Sequence, residues 1–473
     1  MKEKKEFRFP STSTLLMCVT AVMWLLTYIV PAGQFDRAIN EATGREGVVA
    51  GSFHYIEQSP ANIGQLFQAP YWGLMEVIDI IALVFIVGGA VGVIIESGAI
   101  HAGINKIAQK TGGKGDAVFV IIMLAFGAAS TFLGMAEEFI VFVPLLTSIA
   151  ISLGYDKITA VAVILLGVYG AGGFALFGPY NTMIAQKVAE VELLSGMGLR
   201  AIGCLGCVAI SIHHVLRYGK KIKNDPTASL LYDKNDKSLK LDEDKVKKDI
   251  IDLSQYELTP KRKATLFVLI VGLIIMAIGV LKWAWWFEHM SALFLVMAII
   301  CGLINFNLSF DKVVNCFVEN AAGMATVAIL LALSRSIVYI ITEGQIIDTI
   351  IYAISIPLSH LSGVFAAWGI YISQLVVNFL IPSSSGQAMV VMPILTPLAD
   401  LIGVSRQVAV HAFTAGDYFG NMIIPTHPTT LACLAIAGIP YNKWFKYVLP
   451  CFLKWSVWVL VVLAIGVMTN WAF

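Results

Sequence analysis

Charged and hydrogen-bonding side chains are scarce in the long apolar runs of this chain, and where they occur they are grouped. Glu137 and Glu138 stand side by side in GMAEEF, Asp417 follows Gly416 in GDYFGN, Arg335 interrupts ALLALSRSIVYI, and His427 lies in IIPTHPTT. An uncompensated carboxylate at a bilayer centre costs roughly 2.5 to 3.5 kcal/mol or more. Two adjacent ones therefore need a partner, a proton or a cation. A helix N-terminus offsets only about 0.3 to 1 kcal/mol at a surface, too little to account for the pair. Arg335 reads equally as the counter-ion of one of these acids or as a clamp on a ligand carboxylate. His427 reads as a hydrogen-bonded structural histidine, with proton carriage as the alternative.

A second group of polar residues lies in NFLIPSSSGQAMVVMP, where Pro382, Ser383, Ser384, Ser385, Gly386 and Gln387 break an apolar run. Two half-helices meeting at a polar tip explain such a break. Non-helical backbone at membrane depth persists only where protein or a water-filled cavity satisfies it, so the tip is a candidate binding site. Ser384 and Gln387 have capping-box spacing, and the exposed N–H groups of the helix start suit a carboxylate or hold an ion in place through their neighbours. The turn from Gly134 to Glu138 is the equivalent place in an earlier segment.

That equivalence comes from an internal repeat. Shifting the sequence by 249 positions lays Pro144 on Pro393, Leu146 on Leu395, Thr147 on Thr396, Gly154 on Gly403, Gly167 on Gly416, Tyr169 on Tyr418 and Pro179 on Pro428. From Val141 to Pro179 there are eleven identities in thirty-nine positions without a gap. Shared Leu, Val and Ala would follow from apolar bias alone; aligned prolines, glycines and a tyrosine do not.

The elements that must position these residues follow from composition. Of 473 residues, 58% are hydrophobic and 13% charged, with runs near twenty residues, so the chain reads as an all-α polytopic membrane protein. Thirty-two basic and thirty-one acidic residues leave a net charge of +1, which offers no field for nucleic acid. Seven scattered cysteines argue against a disulfide framework. Lys2, Lys4, Lys5 and Arg8 place the N-terminus in the cytoplasm, and the first apolar run reads as a retained span rather than a cleaved signal.

Residues 1–71 then comprise that span and an outside loop. Residues 72–216 form the first repeat: a span, an interfacial helix near His101 to Lys114, a re-entrant hairpin 117–153, a broken helix 158–190 and a span. Residues 217–263, with thirteen Lys/Arg and nine Asp/Glu, form a cytoplasmic polar loop, and 264–306 two scaffold spans. Residues 320–473 form the second repeat, with a span, an interfacial helix, hairpin 363–402, broken helix 407–438 and a final span that puts the C-terminus outside. Counting sides makes one hairpin open inward and the other outward, the inverted-repeat arrangement of secondary transporters.

GMAEE with FxVFVPL, PSSSGQAMVVMP and GDYFGNMIIPT together resemble the YfcC and C4-dicarboxylate anaerobic carrier family of the ion transporter superfamily. The resemblance extends over nearly the whole chain and implies a homodimeric secondary carrier in a bacterial cell membrane, with basic amino acid exchange or dicarboxylate transport among the activities. Where the family pattern has Asn-Pro after the first broken helix, this chain has Gly178-Pro179, with Asn181 as the nearby amide. The candidate site is accordingly Gly134, Glu137, Glu138, Asn181, Arg335, Ser383, Ser384, Ser385, Gly386, Gln387, Asp417, Asn421, Thr426 and His427.

These residues point to a small carboxylate-bearing solute, an amino acid and especially a basic one, handled by alternating access together with a coupling ion or counter-substrate. A C4-dicarboxylate is the alternative, disfavoured by the excess of acids. Neither a His-Glu metal motif nor a nucleophile with a spaced base is present, so an intramembrane enzyme is a remote reading, as is a channel. No cofactor and no metal are expected, with sodium at the hairpin tips left open. The absence of a GxxxxGK motif leaves a gradient or exchange as the energy source.

Overall fold

The computed structural model describes residues 12–40, 45–103, 106, 115–134, 136–178, 181–232, 256–283, 285–305 and 309–471. Outside these fall the basic N-terminal cluster, most of the first interfacial segment, Pro179, and the centre of the polar loop. Seven of the described helices are long and apolar enough to cross a membrane. Outward faces of these helices and of the shorter apolar helix Asp116–Phe132 carry Ile121, Leu124, Leu205, Phe365, Ile372 and Val457, all exposed, a surface suited to lipid rather than water.

Helix α1 (Thr12–Ile29) leads into two short strand pairs, β1 (Gly33–Gln34) with β4 (His54–Tyr55) and β2 (Arg37–Asn40) with β3 (Arg45–Val48), both antiparallel. Arg37 pins this region through the buried Asp348, at 3.0 Å. The expected plain loop up to residue 71 is thus partly ordered. Its end is helical too, because α2 (Ile63–Glu76) begins at a capping box in which Asn62 and Gln65 satisfy each other's backbone N–H groups. Val77 interrupts the axis and α3 (Ile78–Glu96) continues. The single span expected from Trp72 is therefore two helices. The polar and Pro-containing GQLFQAPY segment conceals the first of them from a hydropathy reading.

Next come α4 (Gly115–Leu133), a 3-10 turn (Glu137–Phe142) and α5 (Val143–Ser152), followed by α6 (Lys157–Gly172) and α7 (Thr182–Val188) on either side of a break. Helix α8 (Met197–Asn224) ends this half. Helices α9 (Pro260–Trp283) and α10 (Phe287–Asn305) follow, then α11 (Phe310–Ala322) and α12 (Ala325–Glu343), so the span expected at 320–342 is preceded by a separate amphipathic helix. Helix α13 (Ile347–Leu358) precedes α14 (Gly363–Leu380) and α15 (Ser384–Leu401). Helices α16 (Arg406–Gly420) and α17 (Pro428–Ile436) again flank a break, and α18 (Tyr441–Met468) is last.

The 249-residue register carries over into packing. α4 lies on α6 as α14 lies on α16, α5 on α6 as α15 on α16, and α6 on α8 as α16 on α18. Contacts between the halves are reciprocal: α7 touches α15 and α16, while α17 touches α5, the 3-10 turn and α6. Caps repeat as well. Asp156 accepts from Thr159 N at 2.9 Å to start α6, and its counterpart Ser405 accepts from Val408 N at 3.3 Å to start α16. Ile158 to Gly172 are buried throughout, which explains why α6 is apolar all round instead of on one face.

Around this pair, α2 lies along α12 with almost no clearance. A Cβ on Gly73 would stand 2.3 Å from Ala332 O and 2.7 Å from Ser336 N, both backbone atoms of α12. Gly73→Ala should accordingly destabilise the protein by about 1 to 3 kcal/mol, the usual range for overpacking. Unfolding in detergent, followed by thermal scanning or SDS titration, reads this directly. Gly198→Ala is the control, since nothing lies within 4 Å of its Cβ position; it should not lower the midpoint.

Candidate functional site

Each tip is built by residues that stop a helix. After α4, Gly134 turns the chain with φ +72°, a left-handed conformation that costs glycine little. Glu138 then folds back so that its carboxylate accepts from Ala136 N at 2.9 Å. After α14, Pro382 supplies no N–H and disfavours helix at Ile381, whose φ of −125° and ψ of 76° mark the stop. The next helix restarts at Ser383, with Gln387 N donating to Ser383 O at 2.7 Å.

The expected capping box does not form here. The N-cap is Ser383 rather than Ser384, and its hydroxyl makes no cap hydrogen bond. Gln387 turns away and donates to Gln374 Oε1 at 3.0 Å. The first-turn N–H groups at Ser384, Ser385 and Gly386 therefore lack a side-chain cap, which leaves them available to a ligand.

Both tips line one cavity of about 390 Å³. Gly134, Ala136, Glu137 and Glu138 come from the first tip; Pro382, Ser383, Ser384 and Ser385 come from the second. Tyr169 from α6 and Tyr418 from α16 add an aromatic wall, their ring centroids 5.6 Å apart. Asn421 and His427 come from the break between α16 and α17, Arg335 from α12, and Trp286 from the segment joining α9 to α10. A larger groove of about 790 Å³ between α1, α13 and α14 has no charged residue in its lining and gathers none of this chemistry.

Arg335 is buried, and its Nη1 lies 3.2 Å from Glu76 Oε1 at the end of α2. Glu137 is the other acid whose charge acts on it. His427 caps α17: its Nδ1 accepts from Thr430 N at 3.3 Å, which leaves the N–H on Nε2, 3.5 Å from the Tyr169 hydroxyl. The structural reading of His427 and a place on the cavity wall thus hold together. The Asp417 carboxylate is fully buried and makes no hydrogen bond of standard geometry among the described residues; the Ser384 hydroxyl is the side chain that faces it.

Five expected residues stand back from the cavity lining, the first being Asp417, which lies behind Ser384. Asn181 is buried as the N-cap of α7, its Oδ1 accepting from Thr182. Thr426 donates to Phe379 O at 3.0 Å and so ties the break to the end of α14. Gln387 and Gly386 lie behind the serines. Tyr169, Tyr418, Trp286 and Glu76 join the site without having been picked out for it. The repeat register does signal the tyrosines, which occupy identical positions in both halves. Nothing in the local sequence distinguishes Trp286 from other span-end tryptophans.

The facing tips give an accessibility test. Ala136→Cys and Ser384→Cys, each in a background free of the seven native cysteines, should react with water-soluble maleimides and stay shielded from membrane-partitioning ones. Labelling of Ala136→Cys from the lipid phase alone would contradict the shared cavity.

The family model described as C4-dicarboxylate anaerobic carrier matches residues 9–468. A Haemophilus influenzae protein of uncharacterised function is 28% identical, with 95% of each chain covered. An Escherichia coli protein named "Putative basic amino acid antiporter YfcC" is 27% identical, with 94% of each chain covered. Among solved structures, the YdaH transporter of Alcanivorax borkumensis aligns at 15% identity over 98% of this chain and 99% of its own, with a TM-score of 0.41. MtrF of Neisseria gonorrhoeae, titled as one of a class of antimetabolite efflux pumps, aligns at 15% identity over 98% and 96%, with a TM-score of 0.42. The family is one of multi-pass membrane transporters, not enzymes. With the family model matched along almost its entire length, the chain belongs to the C4-dicarboxylate anaerobic carrier family.

Proposed function

We propose that this membrane transporter is a secondary active carrier of a cationic amino acid, working by alternating access of the cavity between the two tips. The observation that carries this is the charge balance. Glu137 and Glu138 line the cavity and Asp417 lies against Ser384, whereas Arg335, the one lining cation among the described residues, is already paired with Glu76. A solute with ammonium or guanidinium groups meets the acids. Its own carboxylate suits Arg335 and the uncapped helix start at Ser384, and the tyrosines and Trp286 give its aliphatic stem and cationic end an aromatic wall. The name of the E. coli relative supports the same solute class.

In this reading the two halves are inverted repeats whose hairpins enter from opposite faces, and the protein works as a homodimer in a bacterial cell membrane. Exchange for a second amino acid, or a coupled ion, supplies the energy. A C4-dicarboxylate is the second reading, supported by the family description. It would bring two more negative charges to a cavity already rich in carboxylates.

Purified carrier in liposomes separates the two. Liposomes preloaded with ornithine, succinate or buffer alone are assayed for uptake of labelled arginine, aspartate and succinate. Arginine uptake that depends on internal ornithine is the expected result, and succinate uptake without arginine uptake would overturn the reading. Removing one partner of a buried charged contact commonly costs about 3 to 5 kcal/mol, roughly two to three orders of magnitude in affinity. Asp417→Asn and Glu138→Gln should lose arginine uptake at micromolar concentration to about that extent while the protein stays monodisperse. Unchanged uptake and unchanged pH dependence in both variants would exclude these carboxylates from the site. Arg335→Lys should impair transport sharply, because an ammonium does not reproduce the guanidinium fork.

A further inference from the structure

The contact between Arg335 and Glu76 has three features that an ordinary structural ion pair does not need. First, it uses a single Nη1 to Oε1 approach of 3.2 Å, and the buried Nε of Arg335 has no hydrogen-bond partner among the described residues. A guanidinium committed to one carboxylate normally engages it through two parallel hydrogen bonds. Second, the burial is uneven: the Arg335 side chain is 10% exposed and the Glu76 side chain 42%. The acid is the more exposed partner and gives up less on release, whereas the guanidinium would be left desolvated and alone. Third, Glu76 is the last residue of α2, where the negative end of the helix dipole disfavours a carboxylate. The next residue, Val77, with φ −119° and ψ 25°, breaks the axis before α3.

We infer that Glu76 is a displaceable counter-carboxylate. It neutralises Arg335 while the cavity is empty, and an arriving solute carboxylate takes its place on the guanidinium. This rests on the proposed reading of the cavity as a solute site and goes beyond it by naming the group the solute must displace. Two consequences follow from the geometry. Binding selects for a carboxylate, because only an anion can release Glu76 without stranding Arg335. Release also loosens the junction at Val77, since Arg335 belongs to α12, and α2 is held against α12 by this ion pair and by the close approach at Gly73. Glu76 is thus a positioning and selectivity residue that acts through Arg335.

The test uses the full-length carrier in detergent and in liposomes, with Glu76→Gln as the principal variant. Removing an internal competitor raises apparent affinity, so labelled L-arginine should bind Glu76→Gln roughly fivefold to twentyfold more tightly than wild type. Agmatine, which keeps the guanidinium but lacks the carboxylate, should change by less than about twofold. A purely structural pair would shift both probes together, or weaken both, and that result overturns the proposal. Glu76→Gln combined with Arg335→Lys should lose the tightening. If Glu76→Gln does not fold, Glu76→Asp, whose shorter arm withdraws from Arg335, should give a smaller tightening of the same sign.

A solute-independent readout separates this inference from the solute reading. Modification of Arg335 by phenylglyoxal, followed by mass spectrometry of its peptide, should proceed several-fold faster in Glu76→Gln. If wild type binds neither arginine nor agmatine but binds succinate, the amino acid reading fails, and the same comparison run with succinate decides the displacement. Unchanged phenylglyoxal reactivity of Arg335 in the variant overturns the displacement whichever solute binds.

Discussion

The cost of a broken helix in an apolar surround governs this architecture. Each interruption frees N–H and C=O groups that lipid cannot satisfy, and each draws hydrogen bonds from the end of the helix before the tip in its own half. In the first half, the end of α4 provides: Leu176 N donates to Thr131 Oγ1 at 2.8 Å, and Phe177 N and Gly178 N donate to Thr131 O at 3.1 and 3.2 Å. In the second half, the end of α14 provides: Asn378 donates to Asp417 O and to Asn421 Oδ1, and Thr426 donates to Phe379 O. Thr131 corresponds to position 380 in the 249-residue register, one and two residues beyond Phe379 and Asn378. The ends of α4 and α14 therefore serve a structural purpose before any functional one, tying down the breaks in α6–α7 and α16–α17.

On that shared frame the halves have diverged in polarity. Glu137 and Glu138 correspond to Gly386 and Gln387, Asp417 to Val168, His427 to Gly178 and Asn421 to Gly172. The first half contributes acids at its tip; the second contributes hydroxyls, an uncapped helix start and the buried Asp417. Only the tyrosines are kept alike, and they meet at the centre with His427 against Tyr169. A cavity built this way has matched aromatic walls and polar groups from both tips, which suits an extended solute with unlike groups at its termini.

What could be read from the chain depended on how locally each feature is encoded. Interrupted apolar runs announce themselves, so the tips, both breaks and the unusual acids were visible without coordinates. The repeat aligned the two tyrosines, but that they meet became visible only in the fold. The capping arrangement at Ser383 to Gln387 was not legible, because the fate of Gln387 depends on Gln374 one helix away. Glu76 was missed for a related reason. It lies near the start of an apolar run, where an acid reads as a span boundary, and its partner is 259 residues distant. Trp286 reaches the cavity from a connection between two helices outside the repeat, so neither the register nor an apolar interruption points to it.

The charge inventory bears on how such a cavity could work. With Arg335 matched by Glu76, the empty site retains Glu137 and the buried Asp417 without an ion-pair partner among the described residues. Closing an empty cavity over unmatched carboxylates removes them from water with nothing to offset the loss, and in low dielectric that penalty grows as the site dries. A cationic solute reverses the balance, since it contributes opposite charge at the moment of closure. On the proposed reading, then, the loaded cavity crosses between its two accessible states more readily than the empty one. That asymmetry favours exchange, one cationic solute inward for another outward, over net movement, and it arises from the residues of the site without a separate gating element.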